Sequence, residues 1–168
     1  MSIATYSPGE VLLNIAALHQ VTGFSPDSII RITKDEPYFK TFKSASGKVE
    51  RMTVPDNTYT LEITLSQTSP SNSVLNALAT LDHISGIAQF PIFAKDSSGQ
   101  SLFLSGTCWV ETPAEASYGT DIVERVWTIK CAEMVFGIAG NGNSNDAVSQ
   151  LGQLSSLLGQ AGGNLGLF

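Results

Sequence analysis

The chain has 168 residues, 42% of them apolar, and carries a net charge of −6. This length allows one domain with a buried core, and the acidic balance argues against generic binding of nucleic acids, whose phosphates require an excess of Lys and Arg. No stretch approaches the roughly 18 apolar residues of a membrane helix, and the first residues lack the basic segment of a secretory signal.

The first third of the chain predicts β-structure. Residues 11–24 form an apolar run that ends near a Gly, residues 28–34 are rich in Ile, and each segment predicts one strand. Residues 38–54 predict a hairpin, with two β-prone arms around the turn SASGK. Residues 58–67 alternate between polar and apolar side chains, which is typical of a strand with one buried face. The second face of that strand carries hydroxyl groups and one carboxylate.

A helix over about 70–84 follows this strand almost without a loop. Ser69 is the candidate N-cap, and Pro70 is the first helical residue, where a missing N–H costs nothing. Gly86 is placed to end the helix. Helical spacing after Pro70 gives one apolar stripe, made by Val74, Leu75, Leu78 and Leu81.

Residues 89–96, 101–111 and 121–138 predict further strands, while DSSGQ predicts a turn and TPAEASYGT an exposed loop. The expected fold class is therefore mainly β, a small β-barrel or sandwich with one flanking α-helix. We assign residues 1–142 to this β domain and residues 143–168 to a Gly/Leu-rich C-terminal tail.

The tail is expected to be a short helix or irregular. Its apolar residues fit one amphipathic stripe, although its glycines weaken a helix. A segment with Leu residues and a single charge is expected to dock, either on its own domain or on a neighbouring subunit. The stripe consists of Val148, Leu151, Leu154, Leu157 and Leu158.

Charge is distributed unevenly along the chain. Residues 31–51 hold six of the nine basic residues and have a net charge of +3, whereas the remainder is −9. Such a dipolar chain is able to attract copies of itself head to tail. The alternative is a solvated hairpin whose exposed lysines contribute little.

Residues that carry chemistry are scarce. Cys108 and Cys131 lie in strand-like runs and suit reduced, buried thiols, with a disulfide as the alternative. His19 ends an apolar strand and His83 ends the helix, which are positions typical of surface or capping residues. Neither a metal-binding spacing nor a nucleophile motif occurs. We therefore expect no catalytic residue, no metal and no cofactor. The competing hypothesis is a small-molecule-binding β-barrel or a hydrolase that uses one of the histidines.

Four stretches, in this order, resemble the tail tube protein of contractile-tailed bacteriophages. They are HQVTGFSPDSIIRITKDE, GKVERMTVPDNTYTLEITLSQTSPSNSVLNALATLD, FPIFAKDSSGQSLFLSGTCWVE and VWTIKCAEMVFGIAGN. The resemblance covers about residues 11–142 and leaves the tail outside. In fold, that family is also similar to the tube proteins of type VI secretion systems.

The resemblance implies a structural protein of the virion tail, assembled in the cytoplasm of the bacterial host. Six subunits would form a ring with strands joined edge to edge, and rings would stack into a tube inside the sheath. DNA would pass through the lumen without specific binding. Further implied partners are the tail sheath, the baseplate and the tail-terminator proteins. A ring-forming tail adaptor and a type VI secretion tube subunit remain alternatives.

In such a tube the polar face of strand 58–67 would look into the lumen, because hydroxyls and carboxylates do not retain phosphate. Lys130 departs from this pattern unless a carboxylate pairs it. The predicted lumen residues are Thr58, Thr60, Glu62, Thr64, Ser66, Glu124 and Thr128. The predicted core between helix and sheet comprises Tyr59, Leu61, Ile63, Leu65, Val74, Leu78 and Leu81. The hairpin would reach the adjacent ring through Lys40, Lys43, Lys48 and Arg51.

Overall fold

The computed structural model describes residues 8–27, 29–97 and 101–138. The predicted boundary at 142/143, the tail stripe from Val148 to Leu158 and residues 98–100 of the predicted DSSGQ turn lie outside these residues. A 3-10 turn at Pro8–Glu10 precedes the first strand. The strands and the helix are β1 (Val11–Ile15), β2 (His19–Gln20), β3 (Ile30–Lys34), β4 (Phe39–Lys43), β5 (Val49–Thr53), β6 (Tyr59–Ser66), α1 (Ser71–Ser85), β7 (Phe90–Asp96), β8 (Leu102–Thr112), β9 (Glu124–Cys131) and β10 (Val135–Gly137).

The main sheet is antiparallel and has the strand order β2-β1-β7-β8-β9-β6-β3, with β10 paired to β8. β4 and β5 form a separate hairpin. β3 and β1 lie near opposite ends of this strand order, yet Ile30 and Ile32 of β3 line the same cleft as Val11 of β1. The sheet is therefore curled around its core. The predicted fold class, mainly β with one flanking helix, is confirmed.

The core lies on one face of this curled sheet. Leu61, at the centre of β6, lies in register between Ile32 of β3 and Ile129 of β9. Burying an aliphatic side chain of this size contributes about 1.5–3 kcal/mol to folding. The predicted apolar face of β6, made by Tyr59, Leu61, Ile63 and Leu65, is buried. Further fully buried side chains are Leu13, Ile15, Leu75, Ile92, Cys108, Ile129 and Cys131.

Two segments that were predicted as single strands are interrupted. Residues 11–24 contain β1, a tight turn and β2, because Ala16 and Ala17 adopt positive φ angles of 56° and 59°. This left-handed conformation costs an L-residue roughly 1–2 kcal/mol, and Ala does not favour it. The sequence therefore carries no signal for a turn at these two residues. Residues 121–138 split into β9 and β10, and β10 pairs with Leu102–Leu104 of β8. The single-strand predictions were wrong at both places.

The helix ends as predicted but begins one residue later, because Pro70 and not Ser69 occupies the N-cap position. Pro70 stands at its N-cap position with helical angles (φ −64°, ψ −22°), and the Ser71 N–H donates a hydrogen bond to Ser69 Oγ at 3.2 Å. Gly86 ends the helix at φ 68°, where its N–H donates to the Asp82 carbonyl at 2.7 Å. Gly23 is also required, since an added Cβ would lie 2.7 Å from the Ser69 Cβ.

Only the N-terminal half of α1 packs on the sheet. Leu75 is fully buried, and the Trp127 indole N–H donates to Asn72 Oδ1 at 2.9 Å. Val74 and Leu78 are half-buried, as expected for the edge of a packed stripe. Leu81 is 55% exposed, so its assignment to the core was wrong. The C-terminal turns of the helix extend past the part that is covered, and Ile84 is exposed there as well.

Candidate assembly and channel surfaces

The polar face of β6 continues across its two neighbouring strands. Glu62 lies in register between Arg31 of β3 and Thr128 of β9, and Ser66 lies opposite Glu124. Arg31 and Glu62 form an exposed ion pair at 3.8 Å. The structure therefore brings six of the seven predicted lumen residues onto one face, and five of them are accessible to solvent, namely Thr60, Glu62, Ser66, Glu124 and Thr128.

The other two predicted lumen residues are placed differently. Thr58 precedes β6, and its hydroxyl donates to Asp56 Oδ1 at 2.7 Å. Thr64 lies on the polar face but is only 8% exposed. Its partner on the neighbouring strand β9 is Val126, which is 46% exposed. The alternation in β6 did not predict an apolar residue on this polar face. The assignment of all seven residues to a lumen stays a prediction.

Lys130, the cation that did not fit a DNA-conducting face, has carboxylate partners. Its Nζ lies 2.7 Å from Asp35 Oδ2 and 3.9 Å from Glu111 Oε2, and it donates to Thr60 Oγ1 at 3.1 Å. Asp35 follows β3, far from Lys130 in the sequence, so this partner was not predictable from local spacing. Lys130 is therefore paired by a carboxylate, as a cation on a DNA-conducting face would have to be.

The pair is sheltered enough to shift both pKa values. Burial opposes ionisation of Asp35, but hydrogen bonds from Lys130, Thr58 and Thr60 outweigh it and lower the pKa of Asp35 to about 2. The hydrogen bond to Asp35 raises the pKa of Lys130 against the opposing effect of its burial. Each side chain is about one-fifth exposed, 21% for Asp35 and 22% for Lys130, so solvent screens the pair only in part.

Asp35 should make the fold sensitive to acid. Because its pKa is lower in the folded state than in the unfolded chain, its contribution is complete above about pH 4 and is lost as the pH falls to about 2. We expect Asp35→Asn to lower the free energy of unfolding by about 2 kcal/mol at pH 7 and to match the wild type near pH 2. Urea unfolding at several pH values measures this. Glu62→Gln, in the exposed pair with Arg31, is the control and should change stability by less than about 1 kcal/mol. A difference for Asp35→Asn that does not shrink in acid would contradict the assignment.

The hairpin of β4 and β5 stands apart from the main sheet, and all ten of its strand residues are exposed. Its base is attached to the body, since the Tyr38 hydroxyl lies 3.2 Å from the Tyr59 hydroxyl. A two-stranded hairpin alone is only marginally stable in water. Charge alone did not predict its exposed apolar side chains, which are Phe39, Phe42, Val49 and Met52.

The predicted ring-stacking residues divide between the two faces of this hairpin. On one face, Lys40 pairs with Glu36 at 2.9 Å and Lys48 pairs with Glu50 at 3.1 Å. These two lysines are therefore neutralised within the chain, although the pairs are exposed. Their part in ring stacking stays a prediction.

The other face carries cations without such partners. Lys43 lies opposite Val49 in the ladder, and the Arg51 guanidinium lies 4.2 Å from the centre of the Phe39 ring. Neither Lys43 nor Arg51 forms an ion pair within residues 8–27, 29–97 and 101–138. We call these four residues, Phe39, Lys43, Val49 and Arg51, the positive face of the hairpin.

The two thiols and His19 make contacts within the fold. Cys108 and Cys131 face each other across β8 and β9 as free, buried thiols with their Sγ atoms 2.9 Å apart, as predicted. The hydrogen bond with Cys108 and burial raise the pKa of the Cys131 thiol, which leaves little thiolate at neutral pH. His19 Nε2 lies 2.9 Å from the Ser71 hydroxyl at the start of α1. In the described part of the chain, no three His, Cys, Asp or Glu side chains are grouped to hold a metal.

Two open clefts lie beside β8 and β10. One, of about 510 Å³, is lined by Tyr38, Tyr59 and Glu133 among others, and the second, of about 320 Å³, is lined by residues such as Ile30 and Phe103. Neither His19 nor His83 lines either of these two clefts. No helix in the described residues is both long and apolar enough to cross a membrane.

Comparison with known proteins identifies relatives and fold neighbours. No family model matches the sequence. The chain is 30% identical over 145 residues to structural protein ORF10 of Pseudomonas phage KPP10, across 82% of this chain and 84% of that protein.

Three solved structures share the fold. The tube terminating cap of the anti-feeding prophage has a TM-score of 0.56 and 9% identity, and the match covers 83% of this chain and 95% of that chain. A chain of the sheath-tube complex of the extracellular contractile injection system PVC has a TM-score of 0.54 and 10% identity, with 80% of this chain and 93% of that chain covered. The PVC sheath/tube terminator has a TM-score of 0.52 and 10% identity, with 80% of this chain and 97% of that chain covered. The resemblance to tail tube proteins is thereby supported by the fold, and the relative supplies the family. The chain belongs to the family of structural protein ORF10 of Pseudomonas phage KPP10, and it is a phage structural protein whose fold also occurs in contractile injection systems.

Proposed function

We propose that this phage structural protein is the ring-forming subunit of a tail tube. The observation that carries the proposal is the hairpin, because all ten of its strand residues are exposed and both of its faces bear apolar side chains. Such a hairpin gains stability when another subunit covers it. In a stack of rings, the hairpins of one ring would be covered by the next ring.

The main sheet supports the closure of a ring. β3 ends the sheet on one side, and β2 with the N-terminal part of β1 ends it on the other. Exposed edge strands invite pairing with other chains, and a closed ring of copies pairs them all. The number of six subunits rests on the resemblance to tail tube proteins.

We further propose that the polar face of β6 and β9 lines the lumen of this tube. The face and its rim carry four carboxylates, those of Asp35, Glu62, Glu111 and Glu124, against the three cations Arg31, Lys34 and Lys130. Arg31 and Lys130 have carboxylate partners, and Lys34 donates a hydrogen bond to the Asp56 carbonyl. A lumen of this composition would repel DNA phosphates and would let DNA pass without binding it.

The surroundings of the subunit follow from this role. The tube would belong to the virion tail and would be assembled in the host cytoplasm. Its other partners would be the sheath, the baseplate and the tail-terminator proteins. A catalytic role, a metal and a cofactor have no place in this proposal.

The second candidate is a tube terminator or adaptor. Two of the three solved neighbours are a tube terminating cap and a sheath/tube terminator. A subunit of this kind would form single rings that do not extend without another protein.

Negative-stain electron microscopy of the purified protein separates the two candidates. We would image the full chain at low and high concentration and at two salt levels. Tubes or stacked six-fold rings are expected for a tube subunit, while single rings at every concentration would favour the terminator. A uniform monomer under all conditions, also in the presence of tail baseplates, would count against both.

A further inference from the structure

The hairpin has a counterpart of opposite charge elsewhere on the subunit. The hairpin, residues 38–54, contains four basic residues and one acidic residue. Residues 112–124, which run from the last residue of β8 to the first residue of β9, contain three acidic residues and no basic one. These acidic residues, Glu115, Asp121 and Glu124, are all exposed. The next residue, Arg125, places its guanidinium 5.6 Å from the centre of the Tyr118 ring. We call residues 112–124 the acidic loop.

The acidic loop resembles the hairpin in carrying exposed apolar side chains. Tyr118 is 77% exposed and Ile122 is 71% exposed. The loop is attached to the body at its end, where the Val123 N–H donates to the Gln67 side chain at 3.3 Å and the Gln67 N–H donates to the Val123 carbonyl at 3.0 Å. An apolar centre with a charged rim is the usual composition of a protein–protein interface.

The two surfaces lie at opposite ends of one strand. The hairpin connects β3 to β6 and leaves the sheet where Lys34 pairs with Tyr59. The acidic loop enters β9 at Glu124, which pairs with Ser66 at the other end of β6. These ends are separated by about 24 Å along β6. A contact between the hairpin of one copy and the loop of a second copy therefore leaves a free hairpin and a free loop at the two ends of the pair.

Such a contact is heterologous, because it joins two different surfaces of the subunit. Each added copy offers a new free surface, so the contact can repeat from copy to copy in one direction. We propose that the positive face of the hairpin docks on the acidic loop of the corresponding subunit in the next ring, and that this contact holds the rings together. The inference rests on the proposed function, which supplies the stacked rings. It names their contact surfaces, with Lys43 and Arg51 facing Glu115 and Asp121.

A charge exchange tests this pairing directly. The hairpin variant is Lys43→Glu with Arg51→Glu, and the loop variant is Glu115→Lys with Asp121→Lys. Each variant alone places like charges at the contact, and tube yield measured by electron microscopy and sedimentation should fall by about tenfold or more. All four changed residues are exposed, so the monomer should keep its circular dichroism and its unfolding midpoint.

The combined variant is the matched control, because it keeps the wild-type net charge and restores opposite charges at every contact. It should recover tube formation, and an equimolar mixture of the two single-surface variants should form mixed tubes. Normal tubes from either single-surface variant, or no recovery in the combined variant, would overturn the pairing while leaving the tube function in place. Failure of the wild-type chain to form either rings or tubes would instead overturn the proposed function itself, and the pairing with it.

Discussion

Replacing both Phe39 and Val49 by Ser should abolish stacking of the rings while leaving the subunit folded. The two side chains lie on the positive face of the hairpin and are 47% and 60% exposed in the single subunit. Covering the exposed half of each would contribute about 1 kcal/mol. Six equivalent hairpins at each ring junction would then lose on the order of 10 kcal/mol in total. Tube length and yield in electron micrographs measure the loss.

The conservative variant separates apolar burial from damage to the hairpin. Phe39→Leu with Val49→Ile keeps two apolar side chains of similar size, so tubes should form near the wild-type yield. Circular dichroism and urea unfolding of the Ser variant should show an intact β domain, because the hairpin lies outside the main sheet. Wild-type tube yield from the Ser variant would show that the positive face is not part of the ring contact.

The two kinds of contact at the hairpin would contribute differently. Exposed ion pairs are each worth about 0–1 kcal/mol and weaken as salt increases, whereas burial of Phe39 and Val49 depends little on salt. The charges would therefore set the direction and register in which rings meet, and the apolar side chains would supply most of the affinity. Raising the salt concentration should accordingly shorten wild-type tubes more gradually than the Ser substitutions do.

Elements with strong local signals were predicted closely from the sequence. The alternation of residues 58–67 became β6 with a buried apolar face, and Pro70 and Gly86 mark the start and the end of α1. These signals are local, because a strand period of two residues and the backbone preferences of Pro and Gly act within a few positions. The turn at Ala16 and Ala17 lacks such a signal, because both residues adopt positive φ angles and Ala, unlike Gly, does not favour them.

Features that depend on distant residues were not predictable in this way. Asp35 reaches Lys130 only because β3 and β9 flank β6 in the finished sheet. The distinction between the two faces of the hairpin likewise follows from the ladder register, which sets Lys43 and Arg51 apart from Lys40 and Lys48. The sequence showed that the hairpin is basic, and the structure adds which of its cations have no carboxylate partner in the described residues.

The length of helix that packs on the sheet was likewise not predictable from the sequence. A regular apolar stripe shows which side of the helix faces the sheet, but it does not show where along the helix the sheet ends. The stripe contains both Leu75, which is fully buried, and Leu81, which is 55% exposed. The two leucines therefore form a matched pair on one helix, with equal helix propensity and equal loss of side-chain volume when either becomes Ala.

Leu75→Ala should lower the free energy of unfolding by about 2–5 kcal/mol, because it removes buried methyl groups and leaves a cavity against the sheet. A domain of ordinary stability has only about 5–15 kcal/mol to lose, so this variant should unfold at a clearly lower urea concentration. Leu81→Ala should change the free energy of unfolding by less than about 1 kcal/mol, as expected for a residue in contact with water. Both values are to be measured on the unassembled subunit at low concentration, where no neighbouring copy covers Leu81. Equal destabilisation by the two substitutions would mean that α1 packs along its whole length, and that the exposed C-terminal turns are not available to another subunit.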